Sequence, residues 1–187
     1  MQTTIKDIER HIPPRPTSND DVTIAKTAEK ILPGVLRWLA QANGKEDDRP
    51  EEVLEDLRDV LRGTFDLDGY SLVKELDSHH YWSADSGLVE ELDQAFHFVM
   101  EAVDELTRIW VKDNGVTTTH AVGDTVYVQD RGQWHSGEVT TLDPDLAKMV
   151  VYVEALGHVR RESGKCGTTG ISVAYENVRS TPPGGQE

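Results

Sequence analysis

The stretch "DSHHYW" at residues 77 to 82 places two histidines behind an aspartate, and these side-chain types bind transition metals. Adjacent residues of an α-helix project about 100° apart, so His79 and His80 cannot both face one ion. The candidate ligands of such a metal site are Asp77, His79, His97 and Glu101. The simpler interpretation, which we adopt, is that the stretch ends a helix, with the histidines near its negative terminus. Tyr81 and Trp82 are then expected to pack the following turn into a core.

Carboxylates at short spacings are the second set of side chains that could do chemistry, because hard oxygen ligands bind Mg²⁺. Glu51, Glu52 and Glu55 have the spacing EExxE, and two ExxD pairs follow, Glu90 with Asp93 and Glu101 with Asp104. This pattern resembles the magnesium-binding signature of the all-α nucleoside triphosphate pyrophosphohydrolases of the MazG type. The resemblance implies a Mg²⁺ cofactor and attack by water on a phosphate chain. At about 100° per residue, however, Glu51 and Glu55 project away from the apolar positions of their own helix. We therefore expect a non-enzymatic protein without a cofactor, with the pyrophosphohydrolase as the alternative.

The net charge of −15 is concentrated in one segment. Residues 46 to 113 carry six basic and twenty acidic side chains, whereas residues 1 to 45 carry seven basic and five acidic ones. Such a segment repels nucleic acid and anionic membranes and attracts basic proteins, so direct DNA binding is not expected. We predict an acidic helical face that docks on the basic surface of a protein partner, where it could mimic nucleic acid and inhibit a nucleic-acid-handling protein. The residues of this predicted face are Glu51, Glu55, Asp59, Glu90, Glu101, Asp104 and Glu105. The alternative is that the charge only keeps the protein soluble.

Helical spacing of apolar residues predicts an all-α bundle at 18 to 115, after an N-terminal arm at 1 to 17. The dipeptide "PG" at 33 to 34 is expected to separate a first helix from a second. The stretch "DDRPEEVLEDLRDVLRGTF" predicts a helix with an aspartate cap and with Pro50 in its first turn. Its buried face is expected to consist of Val53, Leu57, Val60 and Leu61.

Two further helices are predicted, "DGYSLVKELDSHH" with Tyr70 on its apolar face, and a long helix from Ser86 to Asn114. Phe98, Ala102 and Ile109 lie along the flank of the long helix, outside its main apolar line. If that flank is exposed, it could pair two copies of the chain into a homodimer. The alternative is a wide core face that the first helices cover.

Beyond residue 118 the apolar period changes to two, and four or five short strands rich in β-branched residues are predicted between 119 and 181. The run of Gly123, Asp124, Val126, Val128, Gly132, Gly137, Val139 and Asp143, closing with "ENVRS", resembles the SH3-like small barrels of the Tudor and KOW families. The Tudor resemblance implies a surface with Tyr127 and Trp134 at or near the positions of an aromatic cage. The KOW resemblance implies a module that binds RNA or a polymerase, for which the chain offers Arg160 and Arg161. The whole chain is thus predicted to be α+β, with a helical bundle followed by an SH3-like β-barrel.

Residues 182 to 187, within the tail "TPPGGQE", are expected to be disordered. The single cysteine excludes an internal disulfide and favours a reducing compartment. No apolar run approaches the roughly 18 residues that span a membrane. We therefore expect a cytoplasmic protein without membrane contact.

Overall fold

The computed structural model describes residues 12–44, 49–64, 66–157 and 170–182. Within these ranges, five helices precede a curled, five-stranded antiparallel sheet, so the chain is α+β with helices before strands. The chain divides into two compact units, and the boundary in the sequence falls between Leu106 and Thr107. Most of the predicted N-terminal arm and of the predicted disordered tail lies outside the described residues.

The helical unit contains four complete helices and most of a fifth. They are α1 (Asp21–Asn43), α2 (Pro50–Gly63), α3 (Gly69–His80), α4 (Ser86–Leu92) and α5 (Ala95–Asn114). Their core is aliphatic, and its largest fully buried side chains are Leu57, Leu72, Leu76, Leu88 and Leu92. In α2 the predicted buried face is confirmed, and Pro50 begins the helix as expected. The predicted aspartate cap is wrong, because the cap position is held by Arg49, whose side chain makes no capping bond.

Helix α1 runs through Pro33, so the expected division into two helices is wrong. Proline in a helix interior costs roughly 3 kcal/mol relative to alanine. Ile31 and Val35 are buried on either side of it. Burying such a side chain contributes about 1.5–3 kcal/mol, so these two residues together offset the cost of Pro33.

The predicted long helix is interrupted by a turn at residues 93 and 94, between α4 and α5. Leu92 and Ala95 are nevertheless both buried in the same core, which explains why the apolar spacing continues across the interruption. The carboxylate of Asp93 accepts a hydrogen bond of 2.9 Å from the backbone N–H of Gly69, the first residue of α3. This hydrogen bond therefore holds the turn after α4 against the start of α3.

Aspartates also begin α3 and α4. Asp68 accepts from the backbone N–H of Ser71, and that bond is the main cause that lowers the pKa of its carboxyl group. Asp85 accepts from the backbone N–H groups of Gly87 and Leu88. Each carboxylate occupies an N-cap, where it satisfies donors that have no partner inside the helix.

The sheet unit contains β1 (Thr125–Asp130), β2 (Gln133–Asp143), β3 (Lys148–Tyr152), β4 (Ile171–Ala174) and β5 (Val178–Arg179). All neighbouring strands are antiparallel, in the order β4-β3-β2-β1-β5. The register of β2 against β3 shifts between Val139 and Thr141, an irregularity of the kind that bends a sheet. The concave side holds a core of Val126, Val128, Val139, Met149, Val151 and Val153. The predicted period of two is confirmed here.

Candidate functional site

Two of the three carboxylates of α5 that were assigned to the acidic face form ion pairs with α1. Glu101 accepts from Lys30 at 2.9 Å, and Glu105 accepts from Lys26 at 2.8 Å. The bond from Lys30, with a smaller contribution from His97, lowers the pKa of the Glu101 carboxyl group. Both pairs are partly exposed to solvent, where an ion pair contributes at most about 1 kcal/mol.

The other flank of α1 is paired with α2 in the same way. Arg62 lies 3.1 Å from Asp21 of α1 and 3.0 Å from Asp59 of its own helix. Arg58 bridges Glu29 and Glu55 at 3.9 and 3.4 Å. Helix α1 is therefore bordered by a line of exposed ion pairs on each side.

Two members of the predicted face have no such partner. Glu51 and Glu90 are exposed, and neither lies within 4.0 Å of a basic side chain in the part of the chain that the structure describes. Asp104 is partly buried on α5. The seven predicted carboxylates thus include members already paired with neighbouring cations and two that are open to a partner.

The four residues considered as metal ligands do not converge. Asp77 accepts from the backbone N–H of Ala84, and His79 pairs with Glu75 at 3.0 Å. His97 and Glu101 are 3.1 Å apart on α5. Across the described ranges, no group of three or more His, Cys, Asp or Glu side chains could hold a metal ion.

The carboxylates of the pyrophosphohydrolase-like pattern are also used elsewhere. Glu52 pairs with Arg49 at 2.9 Å, Glu55 pairs with Arg58, and Asp93 accepts from the start of α3. These side chains are not gathered around a common point, so the residues do not fit the Mg²⁺ that the resemblance implies.

A cleft at the end of α3 is held together by one carboxylate. Asp56 of α2 lies 2.7 Å from Nδ1 of His80 through one oxygen, and its other oxygen accepts from Nε1 of Trp82 at 2.9 Å. The prediction that "DSHHYW" ends a helix is confirmed, since α3 ends at His80. The role of Asp56 could not be predicted, because it lies on a different helix, 26 residues before Trp82.

Two tryptophans form the aromatic part of this cleft. The ring planes of Trp38 and Trp82 differ by only 4°, and their centroids are 6.4 Å apart. Nε1 of Trp38 donates to Asp85 at 2.8 Å, and this bond is the main cause of the lowered pKa of Asp85. Both indole N–H groups are therefore bonded to aspartates, while the rings stack on each other and pack partly against the core.

Tyr81 does not pack into the core, contrary to expectation. Its backbone is left-handed, with φ 59° and ψ 34°, and the residue is 88% exposed. It caps α3, because its backbone N–H and that of Trp82 are both donated to the carbonyl of Leu76. This cap geometry turns the chain, so that Trp82 packs against the core and the ring of Tyr81 faces solvent.

The cleft has a volume of about 450 Å³, within the usual range for sites that bind ligands or side chains. Three elements line it: the second half of α1, the start of α2, and the end of α3 with its following loop. Its lining residues are Trp38, Leu39, Ala42, Arg49, Glu52, Val53, Asp56, His80, Tyr81, Trp82 and Ser83. It offers aromatic faces beside carboxylates, an arrangement suited to binding.

The outward face of the sheet carries both aromatics that the Tudor resemblance named. Tyr127 pairs with Arg179 across β1 and β5, and Trp134 pairs with Gln129 across β1 and β2. The guanidinium of Arg179 lies 4.5 Å from the ring centroid of Trp134. Arg179 stands in the closing stretch "ENVRS" and counts among the basic residues of this part of the sequence, but its contact with Trp134 could not be predicted, because the two residues lie on strands far apart in the sequence. The predicted contacts Arg160 and Arg161 lie outside the described residues.

The three residues considered for self-association differ in exposure. Ala102 is fully buried, and Phe98 is partly buried against the core of the helical unit. Ile109 is 48% exposed. The first two therefore belong to the wide core face that was the alternative.

Among the described residues, no helix combines the length and the apolar composition that crossing a membrane requires. No protein family model matches this chain, and no curated protein or solved structure is significantly similar to it.

Proposed function

We propose that this is a non-enzymatic interaction protein, whose acidic helical unit docks on the basic surface of a protein partner. The observation that carries the proposal is the charge of residues 46 to 113, which hold twenty acidic and six basic side chains. A field of this sign raises the rate of encounter with a basic protein and disfavours nucleic acid. A partner that normally binds nucleic acid presents such a basic surface, so the protein would act on it as a nucleic-acid mimic.

The ion pairs beside α1 support this proposal, because they keep charge at the surface at little energetic cost. Each exposed pair contributes at most about 1 kcal/mol, so an incoming cation can replace Lys30 or Arg62 without a large loss of stability. Glu51 and Glu90 offer carboxylates that no described cation occupies. The docking surface therefore needs no rearrangement of the helices.

The test compares partners captured by three immobilised forms of the protein from a nuclease-treated lysate, eluted with a salt gradient and identified by mass spectrometry. They are the wild type, the double variant Glu51→Lys with Glu90→Lys, and a control with the same charge change in the sheet unit, Asp145→Lys with Glu154→Lys. We expect a basic nucleic-acid-handling protein on the wild type and the control, released by salt and lost from the helical variant. Equal retention on both variants, or no basic protein on the wild type, contradicts the proposal.

We further propose that the sheet unit is an SH3-like barrel. Four strands form a meander, and a single 3₁₀ turn at Tyr175–Asn177 leads into β5, which pairs back with β1. This connectivity supports the resemblance to Tudor and KOW domains. A KOW-like contact with RNA or a polymerase is the second candidate function, and the exposed Arg179 beside Trp134 favours it.

A further inference from the structure

The cleft at the end of α3 contains an aromatic side chain that the fold does not use. Tyr81 is 88% exposed, and its left-handed backbone is a conformation that glycine adopts at no steric cost. Only the backbone of Tyr81 takes part in the cap of α3. Because a glycine would serve that cap better, the ring is the part of Tyr81 that requires a separate explanation.

The neighbouring side chains show what such a ring could contact. Trp38 and Trp82 are stacked on each other and partly buried, and their N–H groups are bonded to Asp85 and Asp56, so the parts of their rings that line the cleft offer aromatic contacts only. A ring face attracts cations and carries no hydrogen-bonding specificity of its own. Three aromatic residues therefore line one cleft.

The charges of the residues that line the cleft indicate whether its ligand is a cation or an anion. With a neutral histidine, Arg49, Glu52 and Asp56 give the lining a formal charge of −1, and the surrounding segment is far more acidic. Arg49 is balanced by Glu52, with which it pairs at 2.9 Å, so the carboxylate of Asp56 leaves the lining negative. The potential of the cleft thus favours a cation.

We propose that this cleft binds an arginine side chain of the basic protein partner. The guanidinium group is planar and weakly hydrated, so it stacks on aromatic faces better than the compact ammonium group of lysine. A cleft of about 450 Å³ leaves room for the whole side chain. The inference rests on the proposed docking function and adds specificity to it, since the acidic surface alone would accept arginine and lysine equally.

The probes are two end-blocked peptides, Gly-Arg-Gly-Arg-Gly and Gly-Lys-Gly-Lys-Gly, titrated at low salt into the ¹⁵N-labelled full chain. The four tryptophans give four indole N–H resonances, which Trp→Phe variants assign. We expect the arginine peptide to shift the resonances of Trp38 and Trp82 and to leave those of Trp110 and Trp134 in place. The lysine peptide should bind more weakly.

The variant Tyr81→Gly keeps the left-handed cap, so it should fold at least as well as the wild type. It should bind the arginine peptide about two- to fivefold more weakly, which corresponds to one exposed cation–π contact. Tyr70→Ala is the matched control, because Tyr70, contrary to its predicted place on the apolar face of α3, is 70% exposed and lies outside the cleft lining. This control should bind like the wild type.

Unchanged binding by Tyr81→Gly, or equal binding of the two peptides, overturns the inference. The inference is also overturned if inorganic phosphate shifts the indole resonances of Trp38 and Trp82 while the arginine peptide does not. In these cases, weaker binding of both peptides by Glu51→Lys with Glu90→Lys would leave the docking function standing. If neither peptide binds the wild type at low salt, the arginine cleft and the docking function both fail.

Discussion

Gly69 lies at the closest approach of two helices, and replacing it with alanine should destabilise the helical unit. It is buried at the start of α3 and donates its backbone N–H to Asp93. A Cβ at this position would lie 2.5 Å from Oδ1 and 2.9 Å from the backbone nitrogen of Asp93, and closer still to the carbonyl oxygen of Val89. Backbone atoms cannot move aside as a flexible side chain can, so α3 must shift away from α4.

The size of the effect follows from opposing contributions. Alanine has the higher helix propensity, which favours the variant by up to about 1 kcal/mol. Overpacking costs about 1–3 kcal/mol, and losing the bond to a charged acceptor costs about 1.5–3 kcal/mol. We expect a net loss of about 1.5–6 kcal/mol in the free energy of unfolding. For a unit of this size the midpoint temperature should fall by at least roughly 6 °C.

The same substitution at Gly63 provides the control. Gly63 is the last residue of α2, and a Cβ built there has no neighbour within 4 Å. Gly63→Ala should therefore gain up to about 1 kcal/mol from helix propensity. The two variants should change stability in opposite directions, as measured by urea unfolding followed with circular dichroism and tryptophan fluorescence.

Gly69→Ala within about 0.5 kcal/mol of the wild type would refute the reasoning, because that is the ordinary scatter of surface substitutions. Equal destabilisation by both variants would refute it as well, since the loss would then come from glycine itself and not from the helix contact.

Asp85→Asn should flatten the acid limb of the stability profile. The pKa of Asp85 is lowered chiefly by the bond from Trp38, so its contribution is present above the unfolded pKa of about 4 and is lost as pH falls through the folded value. As pH falls from about 7 to about 2, the melting temperature of the wild type should thus decrease more steeply than that of Asp85→Asn. Parallel profiles of the two proteins would contradict this. Arg179→Ala should expose Trp134, shift its fluorescence to longer wavelength and cost about 0.5–1 kcal/mol. The variant Trp134→Phe identifies the part of the emission that comes from Trp134. If that emission is unchanged in Arg179→Ala, the result would count against the stacking of Arg179 on Trp134.

The parts of the fold that could be predicted from sequence are those in which neighbouring residues share one face. The buried face of α2 and the alternating burial of β1 follow from the helical and strand periods. The same spacing could not locate the turn after Leu92, because burial can continue while the hydrogen-bond ladder stops. Nor could it show that α1 continues through Pro33, since packing on other helices decides that.

The candidate site depends on contacts that no local pattern encodes. Spacing identified the end of α3 at His80, but not the carboxylate of Asp56 that contacts both His80 and Trp82. Tyr81 and Trp82 are adjacent aromatics and were expected to behave alike. The cap of α3 separates them, because one left-handed residue directs the first ring to solvent while the second packs against the core.

The acidic residues of this protein fall into two classes that should change at different rates during evolution: aspartates that cap helices and glutamates that do not. Asp68 and Asp85 reach backbone N–H groups with a short side chain, and the preferred N-cap residues do not include the longer glutamate. Glu51 and Glu90 occupy no N-cap, so the proposed docking function predicts that their charges can move to neighbouring surface positions. Under that proposal, descendants without a basic partner should still carry Asp68 and Asp85, whereas Glu51 and Glu90 should vary.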